Sequence, residues 1–156
     1  MKILFLSVGA IKKGYIKEGF KDYIKRIKRY SKVEEIEVKE GLGTKKAPVG
    51  DVKRKEGERL LEKLKHGDRV VVLAEDGTAL SSVDLSKAVE RALSGAFKRL
   101  VFITGGSYGL DETVLKRADI KLSLSAMTLP HELARLVIAE QLYRAFTIIR
   151  GEPYSH

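Results

Sequence analysis

The chain has 156 residues, room for one domain with a real core, and its 44% hydrophobic and 33% charged content excludes a disordered polar chain. No apolar run approaches the roughly 20 residues of a membrane span, and the absence of cysteine excludes disulfides, thiol catalysis and thiolate metal sites. The net charge of +9 lies entirely in residues 1–66, with 19 Lys/Arg against 10 Asp/Glu, whereas residues 67–156 balance at 11 against 11. A basic region of this kind attracts polyanions such as nucleic acid. It is equally compatible with the lysine-rich solvated surface of a thermophile, which the lack of asparagine and the single Gln141 also suggest.

Lys2 to Val8 reads as a buried strand rather than a signal peptide, because the apolar run is short and lacks a small-residue cleavage site. With the missing cysteines, this points to the cytoplasm. Ile16, Phe20, Tyr23, Ile24 and Ile27 recur at helical spacing between lysines and arginines, which predicts an amphipathic helix with a basic outer face. Val33 to Val38 is a short strand, and Gly41 to Gly50 is a loop carrying Lys45 and Lys46. A second basic helix is expected from about Val52 to Leu64. Arg69 to Ala74 is an apolar strand that ends on a turn, Glu75-Asp76-Gly77. Ser81 and Asp84 form a capping pair for a helix reaching about Leu93. Arg99 to Thr104 is a strand, Gly105 to Gly109 a glycine-rich loop, Asp111 to Arg117 a short helix and Ile120 to Leu124 a last strand. Pro130 suits the first turn of the longest helix, which runs to Ile148. Strands alternating with helices predict an α/β fold with a mostly parallel sheet. The chain reads as one domain, residues 1–156, without repeat or linker.

In an open parallel sheet, ligands sit outside the carboxyl ends of the strands. Three segments leave such ends: Leu73 to Gly77, Gly105 to Leu110, and Ser123 to Pro130. If their strands are neighbours, the loops converge on one pocket. Gly105-Gly106-Ser107-Tyr108-Gly109 allows close backbone approach to a ligand. It is neither a GxGxxG fingerprint nor a P-loop, which disfavours a nucleotide-dependent oxidoreductase or a phosphoryl transferase. In the third segment, Leu124, Met127 and Leu129 can sandwich an adenine ring while backbone groups meet its edge. His131-Glu132 lacks the second histidine of a zinc helix, since position 135 is Arg135, so no metal is expected. On the last helix Leu133, Leu136, Val137, Leu142 and Phe146 make a wide apolar stripe, while Arg135 and Arg144 stand at ion-pair spacing from Glu132 and Glu140. A non-catalytic RNA-binding protein would share the basic half but would have no need of a cofactor pocket.

The strings GGSYGL, SLSAMTLPHELAR and EQLYRA, followed by Gly151-Glu152-Pro153-Tyr154, resemble the ribosomal RNA large subunit methyltransferase H family. The opening KILFLSVG, the length and the basic first part match too, so the resemblance spans the chain. It implies a SPOUT fold whose C-terminal segment is threaded into a trefoil knot, a rare exception to ordinary chain topology. It implies a homodimer and S-adenosylmethionine as cofactor, held by Leu73, Gly105, Gly106, Leu124, Ser125, Ala126, Met127, Thr128, Leu129 and Pro130. The implied reaction methylates N3 of a pseudouridine in 23S ribosomal RNA on the assembled ribosome, with residues 1–66 facing the RNA and residues 67–156 forming the knot and the dimer helix. The family usually ends Pro-Tyr-His plus a basic residue; here Ser155 occupies the histidine position and His156 follows it.

A sulfonium methyl is already electrophilic, so the protein has to align donor and acceptor and assist loss of the N3 proton. Arg135 or Arg144 can stabilise the imide anion, and His131, Tyr154 or His156 can act as base or orient the acceptor. The width of the apolar stripe on the last helix is a second reason to expect a dimer.

Overall fold

The computed structural model of the chain describes residues 1–154. Five strands, β1 (Lys2–Val8), β2 (Lys32–Val38), β3 (Asp68–Ala79), β4 (Arg99–Thr104) and β5 (Ile120–Ser123), form one sheet in the order β2-β1-β4-β3-β5. Every pairing is parallel. The helices are α1 (Gly14–Ile27), α2 (Val49–Leu61), α3 (Ser82–Ser94), α4 (Glu112–Arg117) and α5 (His131–Arg150).

Because side chains alternate across a strand, the continuous apolar runs feed two cores. Ile3 and Phe5 of β1, Leu100 and Phe102 of β4, and Val71 of β3 pack against α1, α3 and α5. Their neighbours Leu4, Leu6, Val8, Val101, Ile103, Val70 and Val72 pack against Leu60 of α2 and Val114 of α4. Helix α5 lies against both α1 and α3. This position buries Leu142 and Phe146 within the chain. The stripe on the last helix is therefore largely covered by its own protomer, and its width does not by itself demand a second one.

Helix α3 begins as expected, with the Ser81 side chain accepting from the Asp84 amide. At the amino edge of the sheet, Arg99 donates to Asp68 through Nε at 2.8 Å and Nη2 at 2.6 Å, tying β4 to β3. Both side chains are buried.

The principal departure lies in β3. The segment Glu75-Asp76-Gly77 breaks the ladder but does not end the strand. Leu73 pairs with Leu122, the register shifts, and Thr78 and Ala79 then pair with Leu122 and Ser123. A Cβ at Gly77 would stand 2.8 Å from backbone atoms of Lys121 and Leu122, so only hydrogen fits there. The bulged excursion places Glu75 and Asp76 beside the loops that follow β4 and β5.

Candidate functional site

With β4, β3 and β5 adjacent, the loops leaving their carboxyl ends enclose a cavity of about 800 Å³. Its wall includes Leu73 and Asp76 after β3, Gly105 to Leu110 after β4, and Leu124, Ser125, Met127, Thr128, Leu129 and Pro130 before α5. Of the ten residues expected to hold a cofactor, all but Ala126 line it. The size suits a nucleoside-sized ligand, and the mixture of apolar side chains with backbone and hydroxyl groups suits a ring with polar edges.

Local hydrogen bonds shape two of these loops. The Gly109 amide donates to the Gly106 carbonyl at 3.1 Å, closing the glycine loop. The Ser125 hydroxyl accepts from the Met127 amide at 2.9 Å, while the Ser123 hydroxyl donates to the Ser125 carbonyl at 3.0 Å. A Cβ on Gly105 would lie 2.9 Å from the Gly109 backbone, and one on Gly106 would meet Glu56 and Val8, each at 3.1 Å. The backbone of this loop is thus pressed against the body of the protein, with glycine as the residue that permits it.

Glu56, behind the glycine loop rather than on the cavity wall, is a buried carboxylate that sequence reasoning misses. It is 4% exposed, and its Oε2 has no hydrogen-bond partner. Burial, reinforced by the negative charge of Glu40, pushes its carboxyl above the ordinary range against the opposing pull of Arg59 and the Gly41 amide. Its position in a charged helix resembles any solvated one, so the sequence offers no signal for it. One turn earlier on α2, Lys53 does reach the cavity wall.

The five candidate catalytic residues divide. His131 lines the cavity. Arg135 does not; it is 3% exposed and donates to the Gly9 carbonyl and to Glu37, both at 2.9 Å, with its guanidinium 5.5 Å from the centre of the Phe20 ring. Its expected partner Glu132 instead accepts from the amides of Lys12 at 2.8 Å and Lys13 at 3.1 Å. The start of α5 is thereby fastened to the β1–α1 connection from both sides. Arg144 does pair with Glu140, at 2.6 Å, and stacks 4.8 Å over the Tyr154 ring. Tyr154 shares a hydrogen bond with Tyr23 at 3.3 Å and donates to Glu140 at 3.1 Å, with its ring edge on Tyr143. Burial and these partners hold its phenol well above the ordinary value. At about 1.5 Å per residue, Arg144 stands about 20 Å along α5 from His131, so this aromatic cluster is remote from the cavity of its own chain. His156 and Ser155 lie outside the described residues.

A family model described as "Predicted SPOUT methyltransferase" matches residues 1–156. The chain belongs to the SPOUT methyltransferase family. Among its SPOUT relatives, the ribosomal RNA large subunit methyltransferase H of Shouchella clausii is 46% identical over 99% of both chains. The proteins of that name from Syntrophotalea carbinolica, 46% identical over 100% of this chain and 99% of theirs, and from Acetivibrio thermocellus, 44% identical over 99% of each, are close to the same level. A probable methylase family protein from Haemophilus influenzae shares the fold with a TM-score of 0.57 at 13% identity, over 98% of this chain and 68% of that one. The tRNA (m1G37) methyltransferase of Aquifex aeolicus does so at 0.51 and 17%, over 92% and 70%. At such identities these two structures speak for the fold alone. Among the described residues no group of acidic or histidine side chains is placed to hold a metal, and no helix is long and apolar enough to cross a membrane.

Proposed function

We propose that the chain methylates N3 of a pseudouridine in 23S ribosomal RNA on the assembled ribosome, with S-adenosylmethionine as donor, as a cytoplasmic homodimer. One observation carries the reading: in a full-length SPOUT chain, the loops after β3, β4 and β5 converge on one nucleoside-sized cavity. The names of the full-length relatives support the RNA substrate. Leu124 and Leu129 would flank the adenine, with the Met127 backbone beside its edge, and the backbone of Gly105 and Gly106 would meet the rest of the cofactor. The bound donor supplies an electrophilic methyl group. His131 lines the cavity wall and would orient the acceptor or take its proton. Arg135 is a positioning residue that holds the start of α5. The threading of the chain into a knot is part of this proposal, and the chain's membership of the SPOUT family supports it.

The dimer has support of its own. Leu133, Val137, Gln141, Arg144 and Ile148 recur at helical spacing along α5, and each is half-buried. Two copies packed antiparallel along this line would bring the Arg144 and Tyr154 end of one helix beside the His131 end of the other. The tail residues would then serve the partner's cavity, which their own chain places out of reach.

Ala134 lines the cavity from the first turns of α5, where a larger side chain fills space without straining a loop. Calorimetry with S-adenosylmethionine should show binding to the wild-type protein and its loss in a folded Ala134→Phe variant. Unchanged affinity in that variant would remove the cofactor from this cavity. Labelled methyl transfer to ribosomes lacking the modification tests the reaction, and nucleoside analysis of the product tests the atom.

A further inference from the structure

The glycine loop between β4 and α4 closes between Gly106 and Gly109, so Ser107 and Tyr108 form its tip. Tyr108 is 52% exposed, and neither hydrogen bond, ring contact nor cation occupies it among the described residues. Met127, in the loop before α5, is 77% exposed, more than any other large apolar side chain described. Both belong to the wall of the same cavity, yet they stand outside its half-buried lining of Leu73, Leu124 and Leu129. Two unpartnered apolar groups thus flank the mouth from two separate loops, one of them tightly closed.

The surrounding charge indicates what they meet. All strands are parallel, so every strand-to-helix connection opens on the edge that carries the cavity. Lys12 and Lys13 follow β1, Lys45 and Lys46 follow β2, and Lys53 reaches the cavity wall from α2. A strand of nucleic acid along this edge would place phosphates on the β2-β1 side and a base over the mouth. Every nucleobase presents a π-face, and aromatic side chains are the usual platform for bases taken out of a stack.

Building on the reading of the chain as an RNA methyltransferase, we propose that Tyr108, backed by Met127, is the platform on which the acceptor RNA stacks the base it presents to the cavity. A thioether against a ring adds favourable contact on the second side. The stack holds the base plane fixed over the methyl donor's chamber while leaving the Watson–Crick edge free to point inward.

The chain contains no tryptophan, so Y108W introduces a single indole at the mouth. Titration with a single-stranded oligoribonucleotide containing pseudouridine should quench its emission. Binding of the same RNA should be weakened about tenfold or more in Tyr108→Leu, which keeps apolar bulk but has no ring, and held within about twofold in Tyr108→Phe. Affinity for S-adenosylmethionine, measured by calorimetry, should be the same in all three variants as in the wild type. Equal RNA affinity of the Leu and Phe variants, an unquenched indole in the RNA complex, or no binding of the RNA to the wild-type protein would overturn the platform. A loss confined to cofactor affinity would overturn it too, by assigning Tyr108 to the adenine. Methyl transfer by the wild-type protein is scored separately; its failure would remove the enzymatic reading, while the quenching would still decide the stack.

Discussion

At the scale of single residues, Glu56 carries a buried carboxyl beneath the glycine loop, with one oxygen unpartnered. Burial, then Glu40, raises its pKa, so the folded protein holds this proton more tightly than the unfolded chain does. The associated stability is present at pH values below the unfolded carboxyl's, about 4.3, and is lost as pH rises from there through the folded value. Glu56→Gln removes the titration while keeping the shape. Melting curves across this range should show the variant gaining on the wild type as pH rises towards neutrality; a constant difference would mean that Glu56 titrates alike in the folded and unfolded chain. Gly77 tests the close approach of β3 to β5. A methyl group there meets backbone at 2.8 Å, which cannot move aside as a flexible side chain can. Overpacking of this kind costs roughly 1–3 kcal/mol, so denaturant unfolding of Gly77→Ala should show a loss in that range or above it. A neutral Gly77→Ala would mean that this approach is looser than the backbone geometry implies. Neither residue announces itself in the sequence, because burial of a charge and approach of a distant backbone are both set by remote segments.

At the scale of elements, α5 does two jobs with its two ends. Its first turn carries His131 into the cavity, while Glu132 and Arg135 bind the connection after β1. Its last turns carry Tyr143 and Arg144, on which Tyr154 of the following segment packs. Deleting residues 154–156 would remove the ring from Tyr143 and the phenol from Glu140 and Tyr23. Each lost hydrogen bond is worth about 0.5–1.5 kcal/mol, so the truncated protein should remain folded. If the tail serves a partner's site, cofactor affinity and RNA affinity should persist while single-turnover methylation collapses, the pattern of an interaction made only in the transition state. A wild-type rate would return the catalytic role to His131. Val137→Glu addresses the other half of the idea. Light scattering should report a monomer for this variant at concentrations where the wild type is a dimer, with methylation lost in parallel. A wild type that scatters as a monomer and is active would dismiss the dimer.

At the scale of the whole molecule, the parallel sheet gathers all strand-to-helix connections on one edge, with lysine-bearing loops over β2 and β1 and the cavity over β4, β3 and β5. Lys45 and Lys46 have no carboxylate partner among the described residues, whereas Lys12 is paired with Glu40 at 2.8 Å. If these loops track an RNA backbone, Lys45→Gln and Lys46→Gln should each lower the slope of log affinity against log salt by about one. Tyr108→Leu should weaken binding without changing that slope, because a stack releases no counterions. An unchanged slope in both lysine variants would move the RNA elsewhere on the surface.

Much of this arrangement is legible in the amino-acid sequence. The apolar runs at Ile3 to Val8, Val70 to Leu73 and Arg99 to Thr104 read as buried parallel strands, the Ser81–Asp84 cap as a helix start, and the three loops after β3, β4 and β5 as one candidate pocket. Alternation, capping and glycine placement are local chemistry, written in neighbouring residues. The motif-rich segments from Gly105 to Glu152 also carry the resemblance to a methyltransferase family. The ends of α5 are harder to read: Arg135 finds Gly9 and Glu37 instead of Glu132, and Arg144 and Tyr154 sit far from His131 although a linear motif joins them. Nor can hydrophobic periodicity show that β3 resumes at Thr78 or that Glu56 is buried. Those outcomes depend on which distant segments share an edge of the sheet, and only the closed tertiary structure decides that.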